Sequence, residues 1–201
     1  MLTVVALTTT ISFAQTFGAK VGTSLASWYG ADVEDAEMKV GIHVGGFATF
    51  GDDAMRLTTE VVYNQRGVKA SDSFDDGWGD IVKTEQTINL NYLDVNAIGN
   101  YFVSDNLSLN AGIGVGLYMG GTYESKVTYL GSSTTDSGSF DSDDGFRGMD
   151  LASNFGLTFY INDVMHIDAR YGMGLLSLDE DGDIDIYNST IQLSFGYAFG
   201  N

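Results

Sequence analysis

The last long polar stretch of the chain, DEDGDIDIYN from Asp179 to Asn188, sets Asp179, Asp181, Asp183 and Asp185 at alternate positions around Gly182. Carboxylates spaced this way can converge on one hard cation, and calcium is the ion that oxygen ligands of this kind select. The glycine is not where an EF-hand loop would put it, and no bidentate glutamate closes the set. Calcium at these four residues is therefore weighed against a plainer reading, a solvated loop whose like charges discourage self-association. Asp141, Asp143 and Asp144 in SFDSDDG are as acidic without any such order. Divalent ions bridging these loops to anionic lipopolysaccharide are a third reading.

A second group of chemical residues recurs on one face of alternating segments: Lys20, His43, Glu60, Arg66, Asp94, Asp150, Asp168 and Arg170. Acids and bases mixed in an enclosed space must pair, since an isolated buried charge is costly. They are expected to form one ion-pair network, with Glu60 meeting Lys20 or Arg170 and Asp168 joining the cluster. Catalysis would need more. His43 falls in mid-segment and His166 beside a tight turn at the opposite end, neither with an obvious nucleophile. No catalytic residue is assigned, and a protein without enzymatic activity is expected; a lipid-modifying enzyme or protease is the rival reading.

The segments that position these residues alternate with period two, and no window after Gln15 carries a helical period. Strands are predicted over Thr16–Ala26, Lys39–Phe50, Met55–Val68, Gln86–Phe102, Leu107–Tyr123, Gly148–Ile161, Met165–Ser177 and Ser189–Phe199. Tight connections near Gly51, Val103 and Asn162 alternate with long acidic ones beginning near Ser27, Lys69, Glu124 and Leu178. All tight turns then lie at one end of the sheet. The expected fold is all-β, an eight-stranded antiparallel up-and-down transmembrane β-barrel with short periplasmic turns and longer external loops.

Which face points inward is decided by two features. In LSLNAGIGVGLYMGG, Leu107 to Gly121, the odd positions are oily while Gly112, Gly114, Gly116 and Gly120 sit on the other face. Glycine weakens a strand, but in a narrow barrel it makes room for large lumen side chains. On the oily face, Phe17, Phe50, Tyr101, Phe159 and Phe199 form an aromatic girdle at the tight-turn end, as membrane interfaces require and a soluble barrel does not. In the fourth segment Ile88 and Leu90 are even while Leu93, Val95 and Ala97 are odd, which predicts a bulge near Tyr92. A lumen filled by side chains argues against transport.

The chain has 201 residues with 26 glycines, 11 tyrosines and 12 phenylalanines, but no proline or cysteine, which excludes disulfides and thiolate chemistry. Its 27 acidic and 9 basic residues give a net charge of −18, which makes nucleic acid a poor partner. The opening MLTVVALTTTISFAQ ends in Ser12-Phe13-Ala14, small residues at the positions a signal peptidase reads. Residues 1–14 are read as a signal peptide, truncated at its start because no basic region precedes it. Residues 15–201 are then the barrel domain, in the cell outer membrane. Trp28, Tyr29 and Trp78 open or cap external loops, where aromatic residues serve as interface belts or partner anchors.

The runs FGAKVGTSLA, KVGIHVGGFATF, EVVYNQRGVK, LNYLDVNAIGNYFV and IDARYGMGL together resemble the PorT-like outer-membrane β-barrel family common in Bacteroidetes. The most telling positions are Glu60, Tyr63, Gln65 and Gly67, and Asn91 to Val95. Asn96 stands where that family often has proline, and Gly200-Asn201 follow the final aromatic. The resemblance implies fold, location and insertion by the barrel assembly machinery. For most members it implies no defined activity, and one relative assists protein secretion. The expected partners are outer-membrane lipids, the assembly machinery and an external protein met through the loops. A secretion accessory is the alternative role.

Overall fold

The computed structural model describes residues 15–33, 36–51, 54–140, 145–179 and 184–199. The segment read as a signal peptide, residues 1–14, lies outside them, as do Asp141, Asp143, Asp144, Asp181 and Asp183. The described strands are β1 (Gln15–Tyr29), β2 (Lys39–Phe50), β3 (Met55–Asp75), β4 (Ile81–Ser104), β5 (Leu107–Tyr129), β6 (Ser132–Phe140), β7 (Met149–Tyr160), β8 (Met165–Gly174) and β9 (Tyr187–Ala198). All neighbouring strands pair antiparallel.

The sheet closes on itself. Its order runs β4-β3-β2-β1-β9-β8-β7-β5, and the β4–β5 pairing joins the two ends. Ring closure pairs both edges of the wall, as the expected place in a bilayer would require, since an unpaired backbone group there has no water to bond. The described residues hold nine strands rather than the expected eight, because β5 divides its second edge. Leu107–Leu117 pair with β7, while Gly121–Tyr129 pair with β6, so eight strands make the wall and the ninth stands above it.

Faces sort by chemistry. Side chains such as Val21, Ile42, Val61, Val95, Ile113, Leu157 and Leu193 are exposed on the outside, while Lys20, His43, Glu60, Asp150 and Asp168 are buried inside. Strand β4 holds a single phase throughout, with Leu90, Tyr92, Asp94 and Ile98 all inward, which corrects the predicted break within it. The irregularity lies at that level but on the neighbouring strand. Pairing passes from Leu90↔Gly121 to Tyr92↔Tyr118, so β5 supplies the extra residue around Gly120, whose φ is +106°.

The inward glycines stand against large lumen groups. A Cβ on Gly22 would lie 2.6 Å from His43 Nε2 and against the Leu193 carbonyl, and one on Gly116 would lie 2.8 Å from Asp94 Oδ1. Outward Gly46 would meet only the Gly18 carbonyl oxygen, at an ordinary 3.5 Å. Gly22→Ala is therefore expected to destabilise the barrel by about 1–3 kcal/mol, the usual cost of overpacking. Gly46→Ala should leave the urea unfolding midpoint in lipid vesicles unchanged, and equal midpoints for the two variants would refute this account.

Candidate functional site

Near the tight-turn end four charges from three strands meet. Lys20 Nζ lies 3.0 Å from Glu60 Oε1 and 3.6 Å from Asp168 Oδ1. Arg170 grips Glu60 with two bonds, Nη1 to Oε2 at 2.7 Å and Nη2 to Oε1 at 3.2 Å, and reaches Asp168 Oδ2 at 3.2 Å. Neutral donors add to this set. Asn96 donates to Glu60, and Asn110 and Thr158 donate to Asp168. Two cations and two carboxylates neutralise one another, as a buried cluster must.

Farther toward the loop end a second cluster is built on Arg66. Its guanidinium bonds Asp94 Oδ1 and Asp150 Oδ2, each at 2.6 Å, and lies over the Tyr92 ring at 4.5 Å. Asn188 also donates to Asp150, and Asn64 to Asp94. His43 enters this system through neutral groups. Its Nδ1 lies 3.1 Å from Ser24 Oγ and its Nε2 lies 2.8 Å from Ser194 Oγ, while Ser24 donates onward to Asn64. The single expected network is thus two ion clusters, and His43 joins the Arg66 cluster through Ser24 and Asn64 without an ion pair. Sequence reasoning missed Ser24, Asn64, Asn188 and Ser194; their one signal was a polar side chain in lumen phase.

The two ends of the lumen differ. At the outer mouth Leu90, Tyr92, Tyr118 and Leu178 form a buried apolar cluster, with Trp28, Ile88, Phe146 and Ile186 packed against it. Trp28 therefore belongs to this plug, while Tyr29 stacks on Tyr187. At the inner end a cavity of about 400 Å³ opens among the tight turns, floored by Lys20, Glu60, Asp168 and Arg170. His166 lines it, edge-on to Phe47 and 5.6 Å from Tyr160.

On the outer surface Phe17, Tyr101, Phe159 and Phe199 are exposed at the tight-turn end, and Phe50 is half-buried beside them. The Glu60/Tyr63/Gln65 run splits between faces. Glu60 enters the inner cluster, while the Tyr63 hydroxyl donates to Asn91 at 2.8 Å and accepts from Gln65 on the outside of the wall. Of the four aspartates considered for calcium, Asp179 accepts the Ile184 N–H and Asp185 accepts the Tyr187 hydroxyl. Among the described residues no group of three or more His, Asp or Glu side chains is placed to hold a metal.

Beyond the rim the wall continues as a projecting sheet, tied at its base by the Glu37↔Lys69 bridge. Strands β3 and β4 stay paired out to Asp75↔Ile81, and β5 and β6 out to Tyr129↔Ser132. At about 3.4 Å per residue, the stretch Lys69–Asp75 rises roughly 20 Å. Cross-strand pairs Phe74↔Val82 and Thr84↔Val127 put Phe74, Val82, Val127 and Tyr129 on one face of it. Trp78 caps the β3–β4 hairpin at 91% exposure. The tip is held by Asp76, which accepts the Trp78 N–H at 2.8 Å and the Tyr129 hydroxyl at 2.9 Å. The Trp78 bond, with help from Tyr129, keeps the Asp76 carboxyl below the usual aspartate range. Among the described residues, β6 pairs with β5 alone, which leaves its other edge unpaired.

A family model described as the outer membrane protein β-barrel domain matches residues 1–199. No curated protein matches the sequence. Among solved structures, the chain is similar to Neisserial surface protein A (NspA), with 11% identity, a TM-score of 0.51 and coverage of 91% of this chain and 97% of that one. It is also similar to Ail, the attachment invasion locus protein of Yersinia pestis, at 18% identity and a TM-score of 0.49 over 92% of this chain and 98% of that one. The outer membrane protease OmpT from Escherichia coli aligns at 9% identity and a TM-score of 0.43 over 94% and 99% of the two chains. The NspA likeness is one of fold.

Proposed function

The chain belongs to the outer membrane protein β-barrel domain family and resides in the outer membrane, and we propose that it acts there as a non-enzymatic interaction protein whose projecting sheet engages an external protein. The observation that carries this reading is the sheet itself, a β3–β6 extension with an apolar stripe on one face and the open edge of β6. Natural proteins blunt or cover such edges unless pairing is their use. Asp72, Asp75, Asp76, Asp80 and Asp136 outnumber the nearby Lys69, Lys83 and Lys126, which favours an extended, basic segment as the added strand.

Absence of catalysis is supported by the fate of the one buried histidine flanked by serines. His43, Ser24 and Ser194 are each at most 2% exposed, so a substrate has no approach to them. Membership of the PorT-like, Bacteroidetes-type branch is proposed on Glu60, Tyr63, Gln65, Gly67 and Asn91 to Val95.

Because the chain has no cysteine, single introduced thiols report cleanly. A photo-crosslinker on Thr134→Cys in β6 is expected to trap a discrete external protein on intact cells, while the same reagent on Ala54→Cys, at a tight turn outside the inner cavity, traps none. Identical adduct patterns at both sites would refute the interaction role. A changed lipid A or protease profile in His43→Ala would restore the enzymatic reading.

A further inference from the structure

The inner cavity holds a cation that the lumen network does not use. Arg56 lies on β3 at the cavity wall, its guanidinium carbon 4.4 Å from the centre of the Phe102 ring. Among the described residues its Nε is buried without a hydrogen-bond partner and no carboxylate lies within ion-pair distance of it. The floor cannot satisfy it, because Glu60 and Asp168 are already matched by Lys20 and Arg170. A buried, unpaired donor of this kind is costly unless a ligand completes it.

The surroundings define what would fit. Phe102 stacks on Tyr160 at 5.1 Å, Tyr160 meets His166, and His166 meets Phe47, so a continuous aromatic wall follows the arginine. About 400 Å³ is within the size range of small-molecule sites. The opposite mouth is closed by the apolar cluster around Tyr92 and Tyr118, so the cavity fills only from the tight-turn side, which faces the periplasm in barrels of this type. Asp105 and Asp163 stand at the entrance and oppose a polyanion. We propose that this cavity is a periplasmic binding site for a small carboxylate with an apolar or aromatic body, with Arg56 as the bidentate anchor and the Phe102–Tyr160–Phe47 wall as the seat of the body. An arginine fork matches a carboxylate in geometry as well as charge.

The carboxylate could belong to a free solute or to the end of a peptide, and the test separates them. The folded barrel in detergent is titrated calorimetrically with benzoate, with its uncharged analogue benzamide, and with acetyl-glycyl-phenylalanine as free acid and as amide. Saturable binding of an acid is expected, with its amide and the Arg56→Gln variant each weaker by roughly tenfold or more, and Arg56→Lys in between. Tighter binding of the peptide acid than of benzoate assigns the site to peptide ends, and the reverse assigns it to free solutes. Unheated electrophoretic mobility checks that each variant is folded. Equal binding of acids and amides, unchanged binding by folded Arg56→Gln, or no saturable heat with either acid overturns the proposal.

Discussion

Glu60→Ala is expected to unfold at a markedly lower urea concentration than the parent barrel in lipid vesicles, a loss of about 3–5 kcal/mol. The size follows from what the carboxylate holds. Glu60 accepts from Lys20, from both ends of the Arg170 fork and from Asn96, so its removal strands two buried cations at once. Asp168 alone then faces Lys20 and Arg170. Adding Lys20→Met should recover part of the loss, because contacting sites are not additive. A midpoint unchanged in both single and double variants would mean that these charges are solvated, and the case against transport through the lumen would fall with that result.

Arg66→Met is expected to cost a comparable 3 to 5 kcal/mol, about the range for breaking a buried pair, through the opposite sign of charge. Asp94 and Asp150 would be left facing each other with only Asn64 and Asn188 as donors. The stacking of the guanidinium on Tyr92 would be lost as well. Arg66→Lys should restore little, since one ammonium cannot bond two carboxylates in the geometry of a planar fork. Asp150→Asn in the Arg66→Met background should recover part of the midpoint by removing the surplus negative charge. Full stability of Arg66→Lys would show that charge alone, without the fork, sustains this level of the barrel.

The glycine pattern of β5 shows how far local reading reaches. Alternation in Leu107 to Gly121 assigns an oily and a small-residue face directly, because strand geometry repeats every two residues whatever surrounds it. His43 stood in the correct phase as well, yet nothing local reveals that its partners are Ser24 and Ser194, the latter 151 residues away. The Tyr92 region is subtler. Ile88 and Leu90 look out of phase with an apolar face that points outward, whereas toward the loop end apolar side chains turn inward and cap the mouth.

The sequence by itself determined the strand periodicity, the sidedness of turns and loops, the outward aromatics at the tight-turn end and the set of charges that must be enclosed, since each depends only on residue type and spacing along one chain. The tertiary structure alone decided who pairs with whom. Glu60 and Arg170 are 110 residues apart, and only ring closure brings β3 and β8 across the same narrow lumen. It also decided the extent of β3, β4 and β5 and the existence of β6. In SDSFDD and SSTTDSGSF no apolar period marks a strand, because a sheet standing in water is held by its cross-strand backbone bonds and has no buried face to write into the sequence. The inner cavity lined by Arg56 is likewise a property of the closed ring, created where the wall's side chains stop short of one another.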